Sequence, residues 1–413
     1  MARLSDEPSA RSWAALTVVS AAVLLGMSVW FAASAVGPVL QARWELDAVA
    51  AGWLTSLVQL GFVVGTLAAA LLGVADVLDS RSYFAGSALA AALANAALLV
   101  VPGYEAALVS RFATGFFLAG VYPPAMKMTA TWFVRSRGLA IGIVVGALTV
   151  GKALPYLVEA VEAARGAGPA AASAGAVVAV TSAAAALGAV VVLAAYRDGP
   201  HAFPRRRFSW NLARAVVESR DWRLATGGYL GHMWEIYAMW TWIAAFLAAS
   251  ADAAGAAGPW SEFAPFFVIA AGGAGCVWGG LVADRIGRED LTIRALGASG
   301  ACAVGIGLLF GGPFPLVFAL ALAWGFFVVA DSAQFSAAVT EVVPAHVVGT
   351  ALTLQVSLGF LLTMATIQLI PFLAELIGWR WAFPVLALGP AAGIASMRRL
   401  RHVRLSTSGG PPG

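Results

Sequence analysis

Polar residues punctuate this chain at short intervals, and the stretches between them are almost wholly apolar. The apolar runs lie near 13–38, 48–72, 82–101, 105–132, 138–158, 171–196, 223–249, 262–283, 291–311, 314–337, 346–371 and 379–397. Each approaches or exceeds the roughly 20 residues a helix needs to cross a hydrocarbon core. The pattern predicts an all-α membrane protein with twelve transmembrane helices and no soluble domain of useful size. The first run spans about 25 residues, too long for the core of a cleaved signal peptide, so it is read as span one.

Composition agrees: 61% of the 413 residues are hydrophobic and 11% charged, where a soluble domain carries roughly 25% charged residues. The basic residues then orient the spans, because short cytoplasmic loops are enriched in Lys and Arg. With both termini inside, 19 of the 25 basic residues fall on the cytoplasmic side, and only Arg43, Arg165 and Arg380 fall outside. The expected location is the inner (cytoplasmic) membrane, multi-pass, with both termini cytoplasmic. The net charge of +4 therefore reflects orientation and gives no sign of nucleic-acid binding. Cys276 and Cys302 fall inside spans, so neither a disulfide framework nor a Cys-based metal site is expected.

The longest polar break, which contains "PRRRFSWNLARAVVESRDWR", divides the chain into a six-helix bundle over 1–196, a cytoplasmic linker over 197–222 and a second six-helix bundle over 223–413. Features recur between the halves. "TGFF" at 114–117 is answered by "WGFF" at 324–327, and Trp30 by Trp240, each 210 positions on, while Asp76 is answered by Asp284. A constant offset points to an internal repeat, common in transporters.

Between spans eight and nine stands "GGLVADRIGRED". Its Gly280, Asp284, Gly287 and Arg288 fit the G-x-x-x-D-x-x-G-R pattern, and the chain resembles the major facilitator superfamily. The pattern, with Arg285 inside it, implies a cytoplasmic latch in which glycines permit a tight turn and Asp284 caps a helix or pairs with an arginine. The corresponding "LGVADVLDSRS" keeps Asp76 and Arg81 but has Leu72 and Asp79 in the glycine positions. "RFATG" resembles the superfamily's fourth-helix motif and puts its arginine at Arg111. Gly138, Gly142 and Gly146 resemble the glycine-rich fifth-helix motif of exchangers and exporters, without its Gly-Pro pair and with Lys152 interrupting the run. Such spacing permits close helix packing or sliding. The resemblance implies two six-helix bundles related by pseudo-symmetry, alternating access, and a central cavity lined by helices one, four, seven and ten.

Ionisable groups inside spans are candidates because their desolvation costs roughly 2.5–3.5 kcal/mol on insertion scales. Arg111 and Lys152 lie at similar depth on adjacent antiparallel spans, where two cations suit an anion site: a guanidinium fork and a point charge. Arg111 could equally bond backbone carbonyls. Lys127, near the cytoplasmic end, could snorkel to headgroups. His232 and Glu235 share one helical face near mid-membrane and suit a proton relay, or else satisfy polar groups between helices; Asp331 is a second proton site or a gate partner. Trp30, Tyr122, Trp240 and Trp242 offer an aromatic lining. Pro123 and Pro124 should kink span four beside Tyr122, a break tolerated where backbone lines a cavity.

Spans four and five resemble bacterial anion-porter branches, although the arginines in spans two and eight of nitrate-type porters are missing. The leading expectation is a proton-coupled transporter of a small organic or inorganic anion, probed against a proton-driven exporter of drugs or hydrophobic metabolites. No clustered catalytic set appears, so no enzyme activity, cofactor or metal is expected. The expected partners are a small-molecule substrate, protons and lipid, with the chain acting as a monomer.

Overall fold

The computed structural model describes residues 8–133, 136–166, 170–201, 210–256, 258–344 and 346–408, and contains no strand among them. Among the described residues eleven helices are long and apolar enough to cross a membrane: Ala10–Val29, Ala48–Leu72, Ser80–Leu99, Tyr104–Ala130, Arg137–Ala164, Ser173–Ala195, Arg220–Ala253, Trp260–Ile286, Arg288–Leu308, Phe314–Val342 and Val348–Ile377. We number these spans one to eleven. The twelfth expected span is divided into Trp379–Ala382, a 3-10 turn Phe383–Ala387 that carries Pro384, and Leu388–Ser408, whose last turns hold four arginines.

Large apolar side chains face outward, with Val109 68% and Leu187 52% exposed, while the ionisable Arg111, Lys152, Glu235 and Asp331 are all 0–1% exposed. That distribution suits a lipid surround, in which apolar surface needs no burial and charge does.

Besides the twelfth, three described spans are broken. Span one stops at Gly26, passes through a 3-10 turn Met27–Val29 and resumes beyond Phe31. Span four stops at Leu118 and restarts at Tyr122, with Pro123 and Pro124 in the first turn of the new helix. The expected kink is there, and its cause is local: a proline has no N–H to give the preceding turn and its ring crowds that turn's carbonyl. Span ten changes segment at Asp331, between Phe314–Ala330 and Ser332–Val342.

The offset of 210 reappears in space. A Cβ on Gly115 would lie 2.0 Å from the Val58 carbonyl oxygen, and one on Gly325 1.8 Å from that of Val268. Likewise Gly65 meets the Phe116 carbonyl at 2.3 Å, and Gly275 that of Phe326 at 2.1 Å. Spans two and four therefore touch as spans eight and ten do, residue for residue 210 positions on. Only glycine fits at these four points, because the opposing atoms are backbone.

Span five packs along span eight through its glycine row: Cβ atoms on Gly142 and Gly146 would each come 2.8 Å from the carbonyls of Cys276 and Gly273. Spans two and eleven meet toward the opposite face, where Gly52 stands against Gln368 and Trp242. The first six spans and the last six thus join along two seams.

Candidate functional site

A cavity of about 500 Å³ opens on the arginine-rich face between these two groups of helices. Its walls come from Thr66 and Ala70 at the end of span two, the restarted half of span four, the start of span five, the second segment of span ten, and Leu352 and Thr353 of span eleven. Tyr122 and Pro123 line it, which answers what the double proline is for: the break turns this segment of span four into cavity wall. Lys127, Arg137 and Arg288 also line it, and no Asp or Glu does among the described residues. Lys127 is therefore a cavity residue, where the sequence had also allowed a headgroup anchor.

The route toward the other face is filled by rings from both groups. Trp30 lies 5.3 Å from Phe62 and 5.8 Å from both Tyr237 and Phe360, and Phe62 and Phe360 are 4.7 Å apart, centroid to centroid. Offset and tilted aromatic pairs at these separations each add about 0.5–1.5 kcal/mol beyond their burial. Trp30 and Trp240 belong to this packed region and do not line the described cavity; Tyr122 does.

Lys152 sits among these rings. Its Nζ donates to the Tyr237 hydroxyl at 2.5 Å and lies 3.9 Å from the Trp30 ring centroid, 4.5 Å from that of Tyr237 and 5.3 Å from that of Trp240. No carboxylate pairs with it among the described residues. A desolvated cation–π contact is worth about 2 kcal/mol, against an effective burial cost of several kcal/mol for the ion. The cage offsets much of that cost, and the phenol and two indole rings replace a counter-ion. Spans one, five and seven all contribute.

Arg111 is placed differently. Its Nη2 donates to the carbonyls of Val29 and Trp30 at 3.1 and 2.5 Å, its Nη1 to Asn95 Oδ1 at 2.7 Å, and its Nε to the Leu54 carbonyl at 3.4 Å. These acceptors include the carbonyls that the break in span one releases, so the guanidinium holds spans one, two, three and four together. The structure does not bring Arg111 and Lys152 onto one shared group. They meet only through Trp30, one at its backbone and the other at its ring.

The buried acids lie in the last six spans. Glu235 accepts from Ser299 Oγ at 2.8 Å and from Trp324 Nε1 at 2.7 Å, tying span seven to spans nine and ten. His232 Nδ1 stands 2.9 Å from Asp331 Oδ1, within ion-pair reach although off hydrogen-bond alignment. His232 and Glu235 share a helix but turn to different partners, so the structure joins His232 with Asp331 and leaves Glu235 with two neutral donors.

At the arginine-rich face the Asp284 carboxylate stands 3.4 Å from where a Cβ on Gly138 would lie, beside the first turn of span five. A carboxylate there complements the helix dipole. Gly287 has φ 89°, the left-handed turn its motif requires, and Gly280 meets the Gly138 carbonyl, with 3.0 Å to an added Cβ. Arg288 bonds Glu341 at 2.5 Å and Gln334 at 2.7 Å, and Arg404 bonds Glu289 and Glu341, so spans nine, ten and twelve share one charged network. Partial burial works against the Arg404 charge, but Glu289 and Glu341 outweigh it and hold its pKa above the ordinary arginine value. Arg285 is exposed. In the first six spans Arg81 Nη1 reaches the Leu193 carbonyl at 3.5 Å, and Asp79 caps span three, its carboxyl held below the usual value by the Ser82 backbone N–H. The Asp76 side chain lies outside the described residues.

Sequence reasoning missed Tyr237, Asn95, Ser299, Trp324 and Glu341. Tyr237 was legible in part, since it precedes Trp240 by three and so shares its helical face. Asn95 is a lone amide in an apolar run, a signal of the same kind as a buried charge.

The family model described as Major Facilitator Superfamily matches residues 18–367. No curated protein matches the chain.

Proposed function

The chain belongs to the Major Facilitator Superfamily, and from that premise we propose that this secondary transporter moves a small organic or inorganic anion, coupled to protons. The proposal includes an inner-membrane location, a cytoplasmic arginine-rich face with both termini on it, bundles over 1–196 and 223–413 joined by the linker 197–222, and a single working chain. The observation that carries the anion reading is Lys152, a buried cation between the two groups of spans with rings and a phenol around it and no carboxylate paired with it among the described residues. The cavity below supports it in giving a small molecule a path toward that layer from the arginine-rich face.

In this reading the cavity loads substrate from the cytoplasmic side, and the anion reaches Lys152 at the ring layer. Span seven then carries both couplings. Tyr237 faces Lys152, while Glu235, two residues earlier, faces spans nine and ten. A proton arriving on Glu235 removes the charge that Ser299 and Trp324 stabilise and loosens the tie between these spans. His232 and Asp331 form the second proton-handling pair. Rocking about the glycine seam of spans five and eight, with spans two and eleven parting and closing, supplies alternating access.

The apolar share of the cavity wall, including Ala69, Ala70, Ala119 and Ile141, favours a second reading, export of hydrophobic compounds. Uptake into proteoliposomes under an imposed pH gradient separates the two. The anion reading requires competition by small carboxylates or inorganic anions, and competition by lipophilic cations alone would sink it.

A further inference from the structure

Deepening that reading, and resting on it, we infer that the Lys152 cage takes one monovalent anion with a small planar or apolar body, such as a monocarboxylate, which replaces the Tyr237 hydroxyl on Lys152 Nζ. The cage contains one cation. The second buried cation of the first six spans, Arg111, has its guanidinium engaged with three backbone carbonyls and Asn95, so a second negative charge at this depth would find no second cation to pair with among the described residues. The Trp30 ring reinforces the limit, because the π-cloud is negative and its centroid lies 3.9 Å from Nζ. A dianion would set its second charge against it in a low dielectric.

The ring edges act in the opposite sense. Indole Nε1–H groups are donors only, and those of Trp30 and Trp240 are buried without an acceptor among the described residues. Faces hold the cation and edges carry donors, which suits an anion of one charge with flat or apolar bulk. Lys152 Nζ has three donors, and the Tyr237 oxygen accepts from it across the junction of spans five and seven. A carboxylate is the stronger acceptor, since it brings a full negative charge to the ammonium where the phenol oxygen is neutral. A carboxylate that takes the donor now on Tyr237 releases the phenol, and with it a tie between the two groups of helices, at the step where they must move.

The test is thermal stabilisation of purified protein by benzoate, acetate, succinate, inorganic phosphate and tetraphenylphosphonium at matched ionic strength and at a pH alkaline enough for succinate and phosphate to be dianions, in wild type, Tyr237→Phe and Lys152→Gln. Benzoate and acetate should stabilise the wild type and succinate and phosphate should not. Tyr237→Phe keeps the ring and removes the competing hydroxyl, so monocarboxylates should bind at least about tenfold more tightly, on the order of one hydrogen bond to a charged group. Lys152→Gln should lose the response. Stabilisation by succinate or phosphate equal to that by benzoate overturns the single-charge inference while leaving the anion reading intact. Unchanged or weaker binding in Tyr237→Phe overturns the replacement of the hydroxyl. Stabilisation by tetraphenylphosphonium alone overturns the anion reading itself, and silence from all five probes overturns the inference with it.

Discussion

Lys152 of span five donates to Tyr237 of span seven at 2.5 Å, joining the first six spans to the last six at the level of the ring layer. Two residues from Tyr237, on the same helix, Glu235 turns the other way to Ser299 and Trp324. A single rigid span therefore has one side on the cationic site and the other on a buried acid. This arrangement makes span seven the element through which substrate and proton can sense each other.

Glu235→Gln should uncouple the transporter. The amide keeps the shape but cannot titrate, and its NH₂ group faces a donor where the carboxylate oxygen accepted from one. Downhill exchange should persist while accumulation driven by a pH gradient is lost, measured in proteoliposomes with and without the gradient. Undiminished uphill transport would remove Glu235 from the mechanism.

Arg111→Ala should cost stability more than affinity. It leaves the Val29 and Trp30 carbonyls and Asn95 buried without their donor, and unmade bonds of a buried charged group cost about 1.5–3 kcal/mol each before relaxation. A large fall in melting temperature, with affinity per folded molecule little changed, is expected. A loss of affinity as large as that in Lys152→Gln would instead mean that the two cations grip one group.

Gly146→Leu should block the transport cycle. A Cβ already comes 2.8 Å from the Gly273 carbonyl, so a longer side chain must part spans five and eight. Ligand-induced stabilisation should survive better than turnover; equal turnover at equal membrane abundance would show that the seam need not stay closed.

Asp284→Asn should weaken the contact with the first turn of span five. A carboxylate at a helix N-terminus is worth about 0.3–1 kcal/mol when exposed, so slower transport with intact insertion is expected. Normal kinetics would assign the turn to orientation alone.

Much of this was legible in the chain. The spans followed from apolar runs, and the offset of 210 between "TGFF" and "WGFF" reappears as the paired contacts Gly115 with Val58 and Gly325 with Val268. Depth was legible too, because residue rise fixes height: Arg111 and Lys152 both approach Trp30. Azimuth was not. Which way Arg111 faces depends on the carbonyls freed by the break in span one, and that break carries no proline to announce it. Tyr237 was passed over because a tyrosine in an aromatic run looks like packing until Lys152 is placed against it. His232 and Glu235 share a face by spacing, yet their partners on spans nine and ten come from elsewhere in the chain and separate their roles.

The central claim is that Lys152 is the anion-binding group. It is tested most directly by thermal stabilisation of purified wild type, Lys152→Gln and Glu235→Gln across a panel of anionic metabolites. Stabilisation by bound ligand grows with its concentration relative to Kd. Wild type and Glu235→Gln should respond to the same anions, and Lys152→Gln, folded and monodisperse, should respond to none of them. An equal response in Lys152→Gln would contradict the account.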